Sequence, residues 1–202
     1  MDICYIVGAV PSDCRPDPGE KDFVVAADRG YSQLREWSIR PDFVVGDFDS
    51  LGTIPENENI LRHPVMKDDS DMMLAVKLGL EKGFSDFRIY GGLGERLDHT
   101  FANIQALEYI ALRGGRGWLI SSSETVTVLH QDSISFPPET SGSISVFALG
   151  GQADGVYLEG LLYPLNDALL TPDFPLGLSN EFTGQSSSVK VREGTLLLIM
   201  TR

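Results

Sequence analysis

The sequence predicts an α/β domain with a parallel sheet over residues 1–121, followed by an all-β domain over residues 122–202. Three observations carry that prediction. Short β-branched or aromatic runs alternate with helix-period segments in the first region, which is the pattern of strands covered by helices. From about Ser121 the chain changes to short strand-like pieces separated by Gly, Pro, Ser and Asp. Polar residues, carboxylates above all, collect where the strands of the first region end.

Taken in order, "ICYIVG", "FVVAA", "DFVVG" and "DFRIYGG" read as strands, and "YSQLREW", "SDMMLAVKLGLEKG" and "HTFANIQALEYIALRGG" as helices. In the second helix Met73, Val76 and Leu80, with Met72, Leu74 and Leu78, form a broad apolar stripe, and Asp71, Lys77 and Glu81 are polar. Ser70, or Asp69 before it, is placed to cap this helix, and Gly83 to end it. In the third helix Phe101, Ile104, Leu107 and Leu112 recur at helical spacing, and Gly114 and Gly115 close it. This is the Rossmann-like arrangement of a parallel sheet. The later pieces "SSSETVTVLH", "DSISF", "GSISVFALG", "GVYLEGLLY", "SSSVKV" and "GTLLLIM" read as the strands of a sandwich or roll, with "PLNDALL" suggesting one helical turn.

Composition bounds the function. With 202 residues, 42% hydrophobic and 22% charged, the chain supports one sizeable core or two small ones and is not disordered. Its longest apolar runs fall far short of the roughly 20 residues of a membrane span, and "MDICYIVGAV" carries no basic leader, so a cytoplasmic protein without membrane contact is expected. Cys4 and Cys14 give neither a zinc spacing nor a disulfide framework. A net charge of -13 with no acidic tail would repel a phosphate backbone, which argues against a nucleic-acid partner; a small anionic substrate would need a cation as escort.

The carboxylates supply that need. Asp28, with Arg29 and Gly30, follows "FVVAA"; Asp47, Asp49 and Ser50 follow "DFVVG"; "GGLGERLDH", with Arg96 and Asp98, follows "FRIY"; and "KDDSD" opens a helix with Asp68 and Asp71 three apart. Five or six carboxylates on one rim must either share protons or bind a hard cation. Mg²⁺ fits best, because it takes a few carboxylates and leaves positions for substrate phosphates, so the site is expected to take a nucleoside triphosphate. No GxxxxGK phosphate loop occurs, and "GLGERL" lacks the last glycine of GxGxxG; Gly91, Gly92 and Gly94 still allow backbone N–H groups to approach phosphate. Each residue also has a structural reading: Asp47 and Asp49 as turn residues, Asp69 as a cap, Arg29 and Arg96 as ion-pair partners, Lys67 as exposed. On the same reading His99 is a helix cap, His63 and His130 are structural, and Trp37 and Trp118 belong to the core.

In order, "AADRG", "GDFDS", "KDDSD", "GGLGERLDHTFAN", "GLLYPL" and "GLSNEF" closely resemble the thiamine pyrophosphokinase family, from about residue 26 to the end. The resemblance implies an N-terminal α/β domain, a C-terminal β-sandwich and a homodimer with active sites between subunits. It implies transfer of a pyrophosphoryl group from ATP to the hydroxyethyl oxygen of thiamine, giving thiamine diphosphate and AMP. By matching motifs, Asp47, Asp49, Asp68 and Asp71 would serve Mg²⁺, and Asp71 or Asp98 would accept the hydroxyl proton. Asp28, Arg29, Ser70 and Arg96 would bind substrate, joined by Tyr163, Ser179 and Asn180 from the β-domain. Tyr163 stands where animal members carry a tryptophan against the substrate pyrimidine, and Glu95 where many members have glycine. Two rivals remain at this point: a metal-dependent nucleotide-sugar transferase, which would release UDP or GDP, and a non-catalytic nucleotide or metal sensor, which would bind without turnover.

Overall fold

A computed structural model of the chain describes residues 2–46, 60–62, 69–94 and 96–202, with the backbone alone for 60–62. Asp47, Asp49, Ser50, His63, Lys67, Asp68 and Glu95 lie outside the described residues. The protein is mixed α/β and divides into two compact units, Met1–Ser122 and Ser123–Arg202.

The first unit holds strands β1 (Ile3–Val7), β2 (Phe23–Ala27), β3 (Phe43–Gly46), β4 (Ile60–Arg62), β5 (Asp86–Tyr90) and β6 (Arg116–Ile120), all pairing in parallel in the order β6-β5-β1-β2-β3-β4. Helix α1 (Gly30–Glu36) follows β2, α2 (Asp71–Glu81) follows β4, and α3 (Leu97–Ala111) follows β5. The β1–β2 crossover carries no helix. The near-continuous apolar runs of β1 and β2 are explained by cover on both faces. Tyr5, Val7, Val24 and Ala26 pack with Leu34 of α1, and Trp37 lies half-buried against them. Cys4, on the alternate face, lies under α2: a Cβ at Gly79 would stand 2.8 Å from Cys4 Sγ and 2.6 Å from Phe87 Cε1. Helix and sheet meet there too closely for any side chain.

Helix ends follow the sequence. Ser70 is the N-cap of α2, its hydroxyl accepting from Met73 N–H at 3.2 Å. Past its other end Gly83 adopts φ 89°, and Gly83 and Phe84 N–H donate to Leu80 and Gly79 carbonyls. Gly114 and Gly115 close α3 through bonds to Ala111 and Ile110. Two expectations for α3 fail. It begins at Leu97, so His99 lies inside its first turn and is not the cap, and Phe101 and Leu112 are 55% and 53% exposed. The buried stripe runs instead through Ile104, Ala106, Leu107, Ile110 and Ala111.

The second unit consists of two antiparallel sheets. One has the order β12-β9-β14-β7, formed by Gly177–Glu181, Ser143–Ala148, Thr195–Thr201 and Glu124–His130. The other has the order β11-β10-β13-β8, formed by Leu165–Leu170, Ala153–Glu159, Ser187–Glu193 and Ser133–Phe136. Alternate residues of both sheets, among them Leu129, Ile144, Val156, Leu158, Val189 and Leu198, share one apolar core. The expected helical turn at "PLNDALL" is strand β11. It pairs with β10 through an irregular register in which Asp167 takes φ 50°, and the backbone bonds of that pairing outweigh the helical spacing of its leucines.

Candidate functional site

In the first unit the strand order reverses between β1 and β5, so loops leaving these two strands diverge and open a crevice at their carboxyl ends. A cavity of about 360 Å³ lies there. Its wall is built from Gly8–Val10 after β1, Ala27 and Asp28 at the end of β2, Asp69–Met72 at the start of α2, Gly91 after β5, and His99, Ala102 and Asn103 of α3.

Of the residues singled out in the sequence, Asp28, Ser70 and Asp71 are brought together at this cavity. Asp28 takes φ 50°, a left-handed conformation that aspartate tolerates better than most residues, and its N–H donates to Val45 carbonyl at 2.8 Å. Gly46 joins the two acids: a Cβ on it would lie 3.4 Å from Asp28 Cα and 3.8 Å from Asp71 Oδ2. Asp71 sits in the first turn of α2, whose free N–H groups favour a carboxylate. Asp69 also lines the cavity and accepts from Lys77 Nζ at 2.6 Å, with the ammonium 5.8 Å from the Tyr109 ring centre. Asp69 is therefore an ion-pair partner rather than the cap of α2.

Arg29, at the N-cap position of α1, is exposed and does not line the cavity. Arg96 and Asp98 are likewise outside its wall and pair with each other, Nη2 to Oδ2 at 2.6 Å. The hydrogen bond from Arg96, together with the His99 N–H, holds the Asp98 carboxyl below its usual range. His99, expected as a cap, contributes to the wall.

Sequence reasoning did not single out Gly8, Gln33 and Asn103, which shape the same wall. Asn103 Nδ2 donates to Gly92 carbonyl at 2.7 Å. Gln33 Nε2 donates to the carbonyls of Gly8 and Val10, and its Oε1 accepts from Ser12 N–H. Asn103 had a signal, since it closes the "HTFAN" stretch; Gln33, in mid-helix, had none.

In the second unit, described by itself, Asn180 is 2% exposed and accepts from Tyr163 and Glu181 N–H while donating to Tyr163 carbonyl at 2.7 Å. It staples the backbone of Tyr163, whose own side chain is 62% exposed. Ser179 takes φ 55° and donates its N–H to Ser145 Oγ at 3.0 Å.

The cavity's donor set is mostly hard oxygen, from Asp28, Asp69, Asp71 and Ser70 beside main-chain groups, the Asn103 amide and the His99 ring. It suits a small divalent cation and a phosphorylated ligand better than a soft metal. Among the described residues no group of three His, Cys, Asp or Glu side chains is gathered closely enough to hold a metal.

Comparisons with known proteins agree in direction. Residues 19–114 match the family model described as thiamin pyrophosphokinase, catalytic domain. Residues 132–196 match the model described as thiamin pyrophosphokinase, vitamin B1 binding domain. The chain is 28% identical over 218 aligned positions to the thiamine pyrophosphokinase of Bacillus subtilis, with 98% of each chain covered. The crystal structure of thiamine pyrophosphokinase from Bacillus subtilis superposes with a TM-score of 0.88 at 25% identity, covering 99% of both chains. That of the Geobacillus thermodenitrificans thiamin pyrophosphokinase gives 0.85 at 26%, covering 99% of this chain and 97% of the other.

Proposed function

The chain belongs to the thiamin pyrophosphokinase family, and on that premise we infer that it transfers the pyrophosphoryl group of ATP to the hydroxyethyl oxygen of thiamine, releasing AMP. The observation that carries this reading is the succession, on one chain, of the family's catalytic and vitamin B1 binding regions. Neither a nucleotide-sugar transferase nor a bare sensor accounts for that pair.

In the reaction the thiamine hydroxyl oxygen bonds to the β-phosphorus of ATP, and the bond from that phosphorus to the oxygen bridging the α-phosphate breaks. AMP leaves with the bridging oxygen, and the hydroxyl proton passes to a carboxylate. Asp71 is the better acceptor of the two candidates, because it lines the cavity and Asp98 does not. Arg29 is an exposed cation available to an incoming triphosphate, Arg96 would exchange its Asp98 partner for a phosphate, and Asp28 and Ser70 contribute to the polar wall. Mg²⁺, when bound, would offset phosphate charge, and Asp71 with Asp47, Asp49 and Asp68 would hold it; the oxygen donors at the cavity fit such an ion.

The second unit would supply the thiamine side through Tyr163, an exposed ring suited to a flat pyrimidine, with Asn180 fixing the Tyr163 backbone and Ser179 preceding Asn180 in the chain. A homodimer with its sites at the subunit interface is supported by the exposed Leu162, Leu169, Phe174, Leu176 and Leu178 of this unit. Two finer readings belong with this one: the parallel sheet is Rossmann-like, supported by its reversal of strand order at the cavity, and the enzyme works in the cytoplasm, where ATP is made available.

The test is product analysis. Protein, ATP, Mg²⁺ and thiamine are incubated, and the nucleotides and thiamine esters separated by chromatography. AMP and thiamine diphosphate in equal amounts are expected; ADP with thiamine monophosphate, or no thiamine-dependent product, would refute the reading.

A further inference from the structure

The cavity wall after β1, Gly8–Val10, is part of a stretch of chain, Gly8 to Ser12, that belongs to no helix or strand. Two of its N–H groups are tied to the neighbouring β5 end, Gly8 to Tyr90 carbonyl at 2.8 Å and Val10 to Gly91 carbonyl at 3.1 Å. Three more of its backbone groups turn toward one side chain. Gln33 Nε2 lies 2.8 Å from Gly8 carbonyl and 2.9 Å from Val10 carbonyl, and Gln33 Oε1 lies 2.8 Å from Ser12 N–H. The orientation of the carboxamide is settled by its partners, since two carbonyls need the amino end and an N–H needs the oxygen.

The two carbonyls and the Gln33 amino group crowd Gly91. A Cβ there would stand 2.6 Å from Val10 carbonyl oxygen, 2.8 Å from that of Gly8 and 3.2 Å from Gln33 Nε2, and Gly91 itself adopts φ 64°. Converging carbonyl dipoles repel unless a donor stands between them, and here the donor comes from α1, outside both loops. We propose that Gln33 is a positioning residue for the cavity: its carboxamide fixes the Gly8–Ser12 wall against Gly91, and so sets the surface on which the ligand's phosphates and nucleoside lie. The assignment of a nucleotide to that surface rests on the reaction inferred above.

Three variants separate the roles. Gln33→Glu keeps shape and the acceptor for Ser12 but turns a carboxylate oxygen toward two carbonyls. Gln33→Met keeps volume and removes every bond. Gln33→Lys restores a donor. Amide hydrogen exchange of the ATP-free protein is expected to speed at Val10 and Ser12 by about tenfold or more in the Glu and Met variants, with α2 and α3 unchanged. The KM for ATP is expected to rise by about tenfold in both, with kcat and the KM for thiamine within about threefold, and the Lys variant to recover most of the ATP effect. Faster exchange with an unchanged KM for ATP, equal losses for ATP and thiamine, or unchanged exchange would each overturn the proposal. Should the wild type form no AMP, the reaction is refuted, and calorimetric titration with ATP and Mg²⁺ alongside the exchange data still decides the role of Gln33.

Discussion

Asp71 reaches the cavity because two local facts coincide: Ser70 caps α2 and so fixes its first turn, and Asp71 is the first residue of that turn. Replacing the carboxylate by an amide leaves the cap and the helix intact. Asp71→Asn is therefore expected to lower thiamine diphosphate formation by about 100-fold or more while moving the melting temperature by a few degrees at most, measured by initial rates beside thermal unfolding. Cys4 is the second instructive residue. Buried beneath Gly79, its thiol is pushed up to about 12 by loss of hydration, with the Asp42 charge adding to the effect. The folded state thus keeps a proton that the unfolded chain releases above about pH 9.0. The contribution is fully present below that pH and lost as pH rises toward 12, on the order of 4 kcal/mol in all. At pH 8 a thiol reagent should label Cys14, which is half-buried, and reach Cys4 after denaturation; rapid native labelling of both would contradict the burial.

Elements meet through contacts that a single atom would disturb. At Gly79 the helix backbone lies on Cys4 and Phe87, both fully buried core groups. Gly79→Ala gains helix propensity of about 1 kcal/mol but overpacks the interface, so a net loss of about 1–2 kcal/mol is expected in urea unfolding. At Asn180 one buried carboxamide does the work of a strand pairing for Tyr163. Asn180→Ala leaves two N–H groups and a carbonyl without it, with an expected cost of about 2–3 kcal/mol. Because Asn180 fixes the backbone that carries the Tyr163 ring, the proposed thiamine contact, the thiamine KM should rise in this variant more than the ATP KM. Sequence reading found the Ser70 cap, the Gly83 stop and the main helices, since those depend on neighbours within a turn. It misplaced Phe101 and Leu112, because helical spacing says which residues share a face and not whether anything covers that face. It read β11 as helical for a related reason: a strand held by an edge pairing carries little pattern of its own.

For the whole molecule, charge and exposed apolar surface pull in different directions. A net charge of -13 keeps copies apart, while the exposed Leu162, Tyr163, Leu169, Phe174, Leu176 and Leu178 favour association. Sedimentation equilibrium is expected to return twice the 22.1 kDa chain mass, more firmly at higher salt as repulsion is screened; a monomer at all salt concentrations would remove the interface from the functional reading. The sequence by itself determined the alternation of strands and helices in the first region, the change to all-strand character near Ser121, and the gathering of carboxylates after strand-like runs, because these follow from periodicity and from which residue types end strands, whereas the short strands Ile60–Arg62, Arg116–Ile120 and Gly177–Glu181 were not read from it. Only the tertiary structure decided that Asp28 and Asp71 share a cavity while Asp98 is paired off with Arg96, that Gln33 and Asn103 hold the loops of that cavity, and that, in the second unit, Asn180 holds the Tyr163 backbone. An amide side chain carries no charge and no periodic signature, so its task is set by whichever carbonyls and N–H groups the fold leaves within its reach.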